Sequence, residues 1–148
     1  MEPKNKPVAP CGLDCSGCEL FTDNISEKLI EVIHRKMGVP PEAVPCRGCR
    51  TEDGRHFHLP DSGCKNLECA KSRQVSLCCD CDDFPCELIA PVADQADRYP
   101  HNIKLYNLCR IKKAGLEKWL NEEAGDIRKK YFKVRFVVGE GQRGPLSE

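Results

Sequence analysis

Residues 63–86 read GCKNLECAKSRQVSLCCDCDDFPC and hold six of the chain's twelve cysteines, at 64, 69, 78, 79, 81 and 86. A disulfide framework and a set of metal thiolates both concentrate cysteine in this way. Spacing favours metal. A C-x2-C turn, such as Cys78 to Cys81, delivers two sulfurs to one ion without strain, and in a reducing compartment such pairs are ligands more often than disulfides. The stretch therefore predicts irregular loops clamped by metal, which supplements a core short of ordinary apolar residues.

The same pairing recurs upstream. CGLDCSGC places Cys11, Cys15 and Cys18 at x3 and x2 spacing, and CRGC places Cys46 and Cys49 with the same glycine before the second cysteine. Glycine there lets the backbone turn tightly enough for amides to point at sulfur, so the two knuckles are expected to share one turn geometry. Cys64 and Cys69 make a fourth pair at x4. Four pairs make two sites, and spacing alone leaves open which pairs share an ion. Cys11 and Cys86 stand just outside pairs and are expected as further ligands. Ten cysteines do not divide into fours, so either a thiolate bridges two ions or His56 and His58 complete a third site. Taken alone, the segment TEDGRHFHLPDSG at 51–63 is rich in turn formers and reads as an exposed loop. Cys79, inside the Cys78 to Cys81 turn, is expected to be a bystander, and Cys109, beside Leu105 and Leu108, a small core residue.

Zinc is the expected metal, as two ions, or three if the histidines join. Iron is the competitor, because Cys11-x3-Cys15-x2-Cys18 is the spacing with which radical S-adenosylmethionine enzymes hold a [4Fe–4S] cluster. Those enzymes build the cluster onto a large α/β barrel, and 148 residues without alternating strands and helices do not make one.

Around the cysteines the pattern is helical. Residues 24–38, NISEKLIEVIHRKMG, carry Leu29, Val32, Ile33 and Met37 at helical spacing, with Asn24 and Glu27 placed as a capping box and Gly38 as the stop. Pro85 suits a first helical turn and predicts a helix through ELIAPVADQADRY, shortened or kinked at Pro91. Ile103, Leu105, Leu108 and Ile111 give the next helix an apolar side up to Gly115, and Leu116, Trp119 and Leu120 make a short further one. KYFKVRFVV at 130–138 is β-branched and aromatic and predicts a strand without an evident partner. The expected fold is mainly α: a small irregular metal-stabilised domain of knuckle loops and about four helices, with a short C-terminal strand. Its expected divisions are a flexible tail over 1–10, the cysteine-rich domain over 11–124 and a basic extension over 125–148.

Lys and Arg number 23 against 23 Asp and Glu, leaving the chain neutral, so no global charge draws it to nucleic acid. The charge is uneven: residues 101–135 hold ten Lys or Arg against four acids. Arg128, Lys129, Lys130, Lys133 and Arg135 interleave with aromatics as nucleic-acid surfaces do, which keeps a nucleic-acid module as an alternative. The literal G-x-G-x-x-G at 139–144 lacks the following helix that would receive a pyrophosphate. No serine elbow, carboxylate pair or phosphate loop appears, so an enzyme is not expected. With no apolar leader and no stretch long enough to span a bilayer, a cytoplasmic location is expected and a membrane partner is not.

CGLDCSGCELF, CRGC, GCKNLECA and CCDCDDFPCEL, followed by NIKLYNLCRIKKAGLEKWL at 102–120, resemble a family of small prokaryotic cysteine-rich proteins of unknown function, described as zinc-binding. The resemblance implies a cytoplasmic zinc protein with Cys11, Cys15, Cys18, Cys46, Cys49, Cys64, Cys69, Cys78, Cys81 and Cys86 as ligands, and no activity. The resulting expectation is a zinc-stabilised protein-interaction module. It binds a protein partner, or a second copy through the free strand edge. An iron–sulfur redox protein is the alternative.

Overall fold

The computed structural model describes residues 8–145, with side chains through 141. Its first helix, α1, spans Glu27–Met37. Ser26 caps it, the hydroxyl accepting from the Leu29 amide at 3.2 Å, and Gly38 ends it at φ 69°, a left-handed conformation that suits glycine. Ile33 is buried, whereas Met37, expected on the same face, lies exposed at the last turn. Replacing Ser26 with alanine is expected to cost about 1 kcal/mol, read as a shift in the denaturant midpoint, because one amide then loses its partner.

The expected cap, Asn24, is used elsewhere. Its side-chain amide donates to the carbonyls of Ser16 and Cys18 at 2.7 and 2.9 Å. It therefore ties the entry to α1 onto the first cysteine loop. Asparagine is equally suited to capping and to bracing a turn, and only the position of that loop decides between them.

Helix α2 spans Lys65–Ser72 and α3 spans Ile103–Ala114. Gly115, at φ 87°, breaks α3, and a second helical run follows: α4 (Leu116–Lys118), a π-helical turn (Trp119–Glu123) and α5 (Ala124–Tyr131). The protein is mainly α, as expected. The helix predicted after Pro85 does not form; one 3-10 turn, Glu87–Ile89, is followed by turns. Pro91 explains this, since the residue before proline is pushed out of the helical region, and Ala90 is extended at ψ 143°.

The second run is longer than its sequence predicts, because Ala124 is buried and Ile127 packs on the core, which holds the helix past Lys130. The boundary placed at 125 falls inside α5. The strand is accordingly shorter, β1 at Val134–Val137, and pairs antiparallel with β2 at Gly141–Pro145. Gly139 and Gly141, at φ 81° and 73°, serve that hairpin, which gives the G-x-G-x-x-G letters a use in the turn. With β1 already paired inside the chain, the reason for expecting a second copy on its free edge disappears.

The core joins Val8, Ala9, Leu77, Ile89, Leu108 and Trp119, bringing five separate segments together. Val8, Ala9 and Pro10 are thus part of the packed body, although the expected tail included them; residues 1–7 of that tail lie outside the described residues. Asn107, buried on α3, donates to the Gly12 carbonyl at 2.8 Å. A Cβ at Gly12 would stand 2.9 Å from Leu108 Cγ, so glycine permits α3 to lie against the first cysteine segment. Arg110 closes the other side with a two-pronged pair to Glu123, both contacts at 2.7 Å. No helix among the described residues is long and apolar enough to cross a membrane.

Candidate metal centres

Backbone bonds bring the cysteine loops together. The Cys46 amide donates to Leu20 O and the Thr22 amide to Cys46 O, both at 2.8 Å, so the strand-like segment after CSGC lies beside CRGC. Gly54 N bonds Cys49 O at 2.7 Å and Cys64 N bonds Gly54 O at 3.0 Å, which folds loop 49–64 back on itself. Cys78 N reaches Pro10 O at 2.8 Å, joining the third loop to the chain's start.

The knuckles differ in form. Cys18 N bonds Cys15 O at 3.0 Å and Cys81 N bonds Cys78 O at 3.2 Å, so CSGC and CCDC are both 3-10 turns. CRGC is built otherwise: Gly48 sits at φ 91° and its amide points at Cys46 Sγ, 3.4 Å away. Gly17 is not left-handed; its missing Cβ makes room for the Arg128 guanidinium, which pairs with the Asp14 carboxylate. The shared geometry expected from the shared glycine is therefore corrected, because the two glycines meet different needs, one of backbone conformation and one of space.

The ten cysteines singled out from the sequence divide between two cavities. Cys69, Cys78, Cys81 and Cys86 line a small one of about 30 Å³, capped by Phe84 and Leu88. Cys11, Cys15, Cys18, Cys46, Cys49 and Cys64 line a larger one of about 660 Å³, together with Glu52, His56 and His58. The x4 pair is split between them. Cys64 precedes α2 and Cys69 lies within it, and five helical positions turn the side chain by about 140°, so the two sulfurs leave on different flanks. Cys11 lines the larger cavity and Cys86 the smaller.

Cys79 is 2% exposed in the core and lines neither of these cavities, as its bystander reading implies. Cys109, expected in the core, is exposed. It follows Leu108 by about 100° around α3 and so faces away from buried Ile103, Asn107 and Ile111.

Burial, then neighbouring sulfurs, sets the chemistry of these thiols. Burial and then Cys49 and Cys11 push Cys15 up to about 12. Burial and then Cys11 and Cys64 push Cys49 to about 12. Cys78 is likewise raised to about 12 by burial and then by Cys11, Cys86 and Cys69, which places it between the two groups. Burial also raises Cys11 and Cys46. Thiols crowded and buried in this way are ionised at neutral pH only with a cation among them, so the donor set fits a thiophilic metal.

One donor of the larger cavity, Glu52, was not picked out from the sequence. Loop 51–63 does not leave both histidines exposed: His56 is only 5% exposed at its side chain, against Glu52 at 11%. One donor atom each from Cys46, Glu52 and His56 lies within 4.8 Å of the others. For Glu52 the available signal was its place four residues before His56 and just after CRGC, which a turn-rich composition obscured. In the basic segment, Arg128 is paired with Asp14 and so leaves the set of cations proposed to face nucleic acid.

Fold and site together define a small, mainly helical, cysteine-rich domain. Residues 7–91 match the family described as Protein of unknown function (DUF3795), and the chain belongs to that family. The match takes in all ten cysteines of the two cavities and ends before α3, so the likeness over 102–120 lies outside it. No curated protein and no solved structure matches the chain.

Proposed function

We propose that the chain is a zinc-stabilised interaction module, in which metal thiolates replace much of an ordinary core. The observation that carries this is the division of the ten cysteines between two cavities, four of them around a small space of about 30 Å³. A closed all-thiolate set of that kind is structural in character, since it leaves no position for a substrate. Cys69, Cys78, Cys81 and Cys86 would hold one zinc and join α2 to the loop before α3. The larger cavity would hold the rest.

Binding a protein partner suits the surface. Phe136 and Val138 on the hairpin are 71% and 86% exposed, apolar area of the kind a partner covers. An iron–sulfur protein is the second reading, favoured by the size of the larger cavity and by Cys11, Cys15 and Cys18 lining it together.

Elemental analysis with an absorption spectrum, on protein purified without oxygen, separates the two. Zinc in a colourless solution supports the module, and iron with a broad visible band overturns it in favour of the cluster. Cys69→Ser is expected to lower the bound zinc by one ion per chain, whereas Cys109→Ser, altering an exposed thiol outside both cavities, leaves the count unchanged. Equal loss in both variants would show that the metal is not held where proposed.

A further inference from the structure

We propose that Cys46, Glu52 and His56 form a distinct mixed-ligand site for a divalent metal such as zinc, with an exchangeable fourth position facing the larger cavity. The proposal rests on the metal-thiolate reading above and adds to it a site of another kind. Six cysteines line this cavity, and four of them, Cys11, Cys15, Cys49 and Cys64, are enough by number for one all-thiolate ion. Cys46 is then free for a second.

Its surroundings are prepared for that use. The Gly48 amide points at Cys46 Sγ at 3.4 Å, the arrangement that steadies a ligating thiolate. Glu52 Oε1 accepts from the Arg47 amide at 2.8 Å and from Arg47 Nε at 3.4 Å, which fixes the carboxylate and turns Oε2 toward His56. His56 Nε2 is buried without a hydrogen-bond partner, and Glu52 Oε2, at 3.8 Å, is too far to be one.

The other ring nitrogen explains which form His56 takes. His56 Nδ1 lies 2.6 Å from His58 Nδ1, a contact that requires one proton between the rings. If His58 supplied it, His56 would carry its proton on Nε2, buried and with no acceptor in reach. If His56 supplies it, Nε2 keeps its lone pair and faces Glu52 and Cys46. The second arrangement leaves an unprotonated nitrogen, a carboxylate oxygen and a thiolate converging within 4.8 Å. His58 then orients the ligand as outer-shell partners of metal-bound histidines do. Sulfur, nitrogen and oxygen together suit zinc-class ions, and three protein ligands with one position open is the pattern of a reactive rather than a structural zinc.

The test reloads metal-free full-length chain with cobalt(II), whose visible bands report thiolate and coordination number. Wild type is expected to take up three ions per chain, and His56→Gln two, with unchanged helical circular dichroism. Glu52→Gln serves as the second variant should His56→Gln fail to fold, with the same loss of one ion. Added imidazole is expected to shift part of the cobalt spectrum in wild type and none of it in the variants. Equal uptake by wild type and a folded variant overturns the site and leaves His56 and Glu52 a buried polar pair. A spectrum indifferent to imidazole overturns the open position, as it would if the Cys18 thiolate filled it. Two ions in both proteins would sink this site alone, whereas no uptake by wild type would sink the metal-thiolate reading with it.

Discussion

Removing metal with a chelator, under reducing and oxygen-free conditions, is expected to abolish the cooperative fold, and restoring zinc to recover it. The apolar cluster at the centre contains Cys11 and Cys79 among its ten buried members, and much of the remainder is contributed by α3 and the run after it. Among the described residues, the segments before α3 carry only α1 and α2, joined by loops and 3-10 turns that cannot bury a face of their own. Structural zinc contributes roughly 10–16 kcal/mol to small domains, against a net stability of about 5–15 kcal/mol for a whole domain. Two such ions, held as proposed, would outweigh everything else holding the loops. Far-UV circular dichroism should fall toward the unfolded level and the thermal transition should broaden or vanish. A chelated, fully reduced chain that melts as sharply and as high as the loaded one would show that hydrophobic packing is sufficient and that the cysteines have another purpose.

Trp119→Ala is expected to destabilise the loaded protein by about 3–5 kcal/mol, the range for truncating a buried aromatic side chain. Trp119 is wholly buried in the π-helical turn between α4 and α5 and lies in the same cluster as Val8, Leu108, Ile111 and Ala124. Its removal empties the point where the helical half meets the start of the chain. For a domain of this size the melting temperature should drop by on the order of 10 °C. Trp119→Phe should be much milder, because the indole nitrogen has no hydrogen-bond partner to lose and the phenyl ring keeps most of the packing. An alanine variant within about 1 kcal/mol of wild type would contradict the placement of this residue at the centre of the core.

These two predictions divide the molecule as its sequence does, into a cysteine-rich half and a half built on apolar packing. Where a feature depends on neighbours within a turn or two, the letters were sufficient. The stop of α1 at Gly38, the break at Gly115 and the amide pointing at Cys46 follow from local spacing. Composition likewise determined the class, since so few apolar residues in so many turns make a mainly helical domain with irregular, cysteine-bearing loops.

Which cysteines meet was decided only by the tertiary structure. The loops are joined by single backbone bonds between distant residues, such as Cys46 to Leu20 and Cys78 to Pro10, and no local pattern encodes those. For the same reason Cys64 and Cys69, adjacent as a sequence pair, part company once α2 turns one sulfur away from the other. Asn24 is suited by its letters to a helix cap and is drawn instead to the carbonyls of the first knuckle. His56 sits in a segment of turn formers and becomes buried because that loop folds back through Gly54 onto Cys64. Spacing along a chain governs what one turn can present; the crossing of separate segments governs what those turns present to each other.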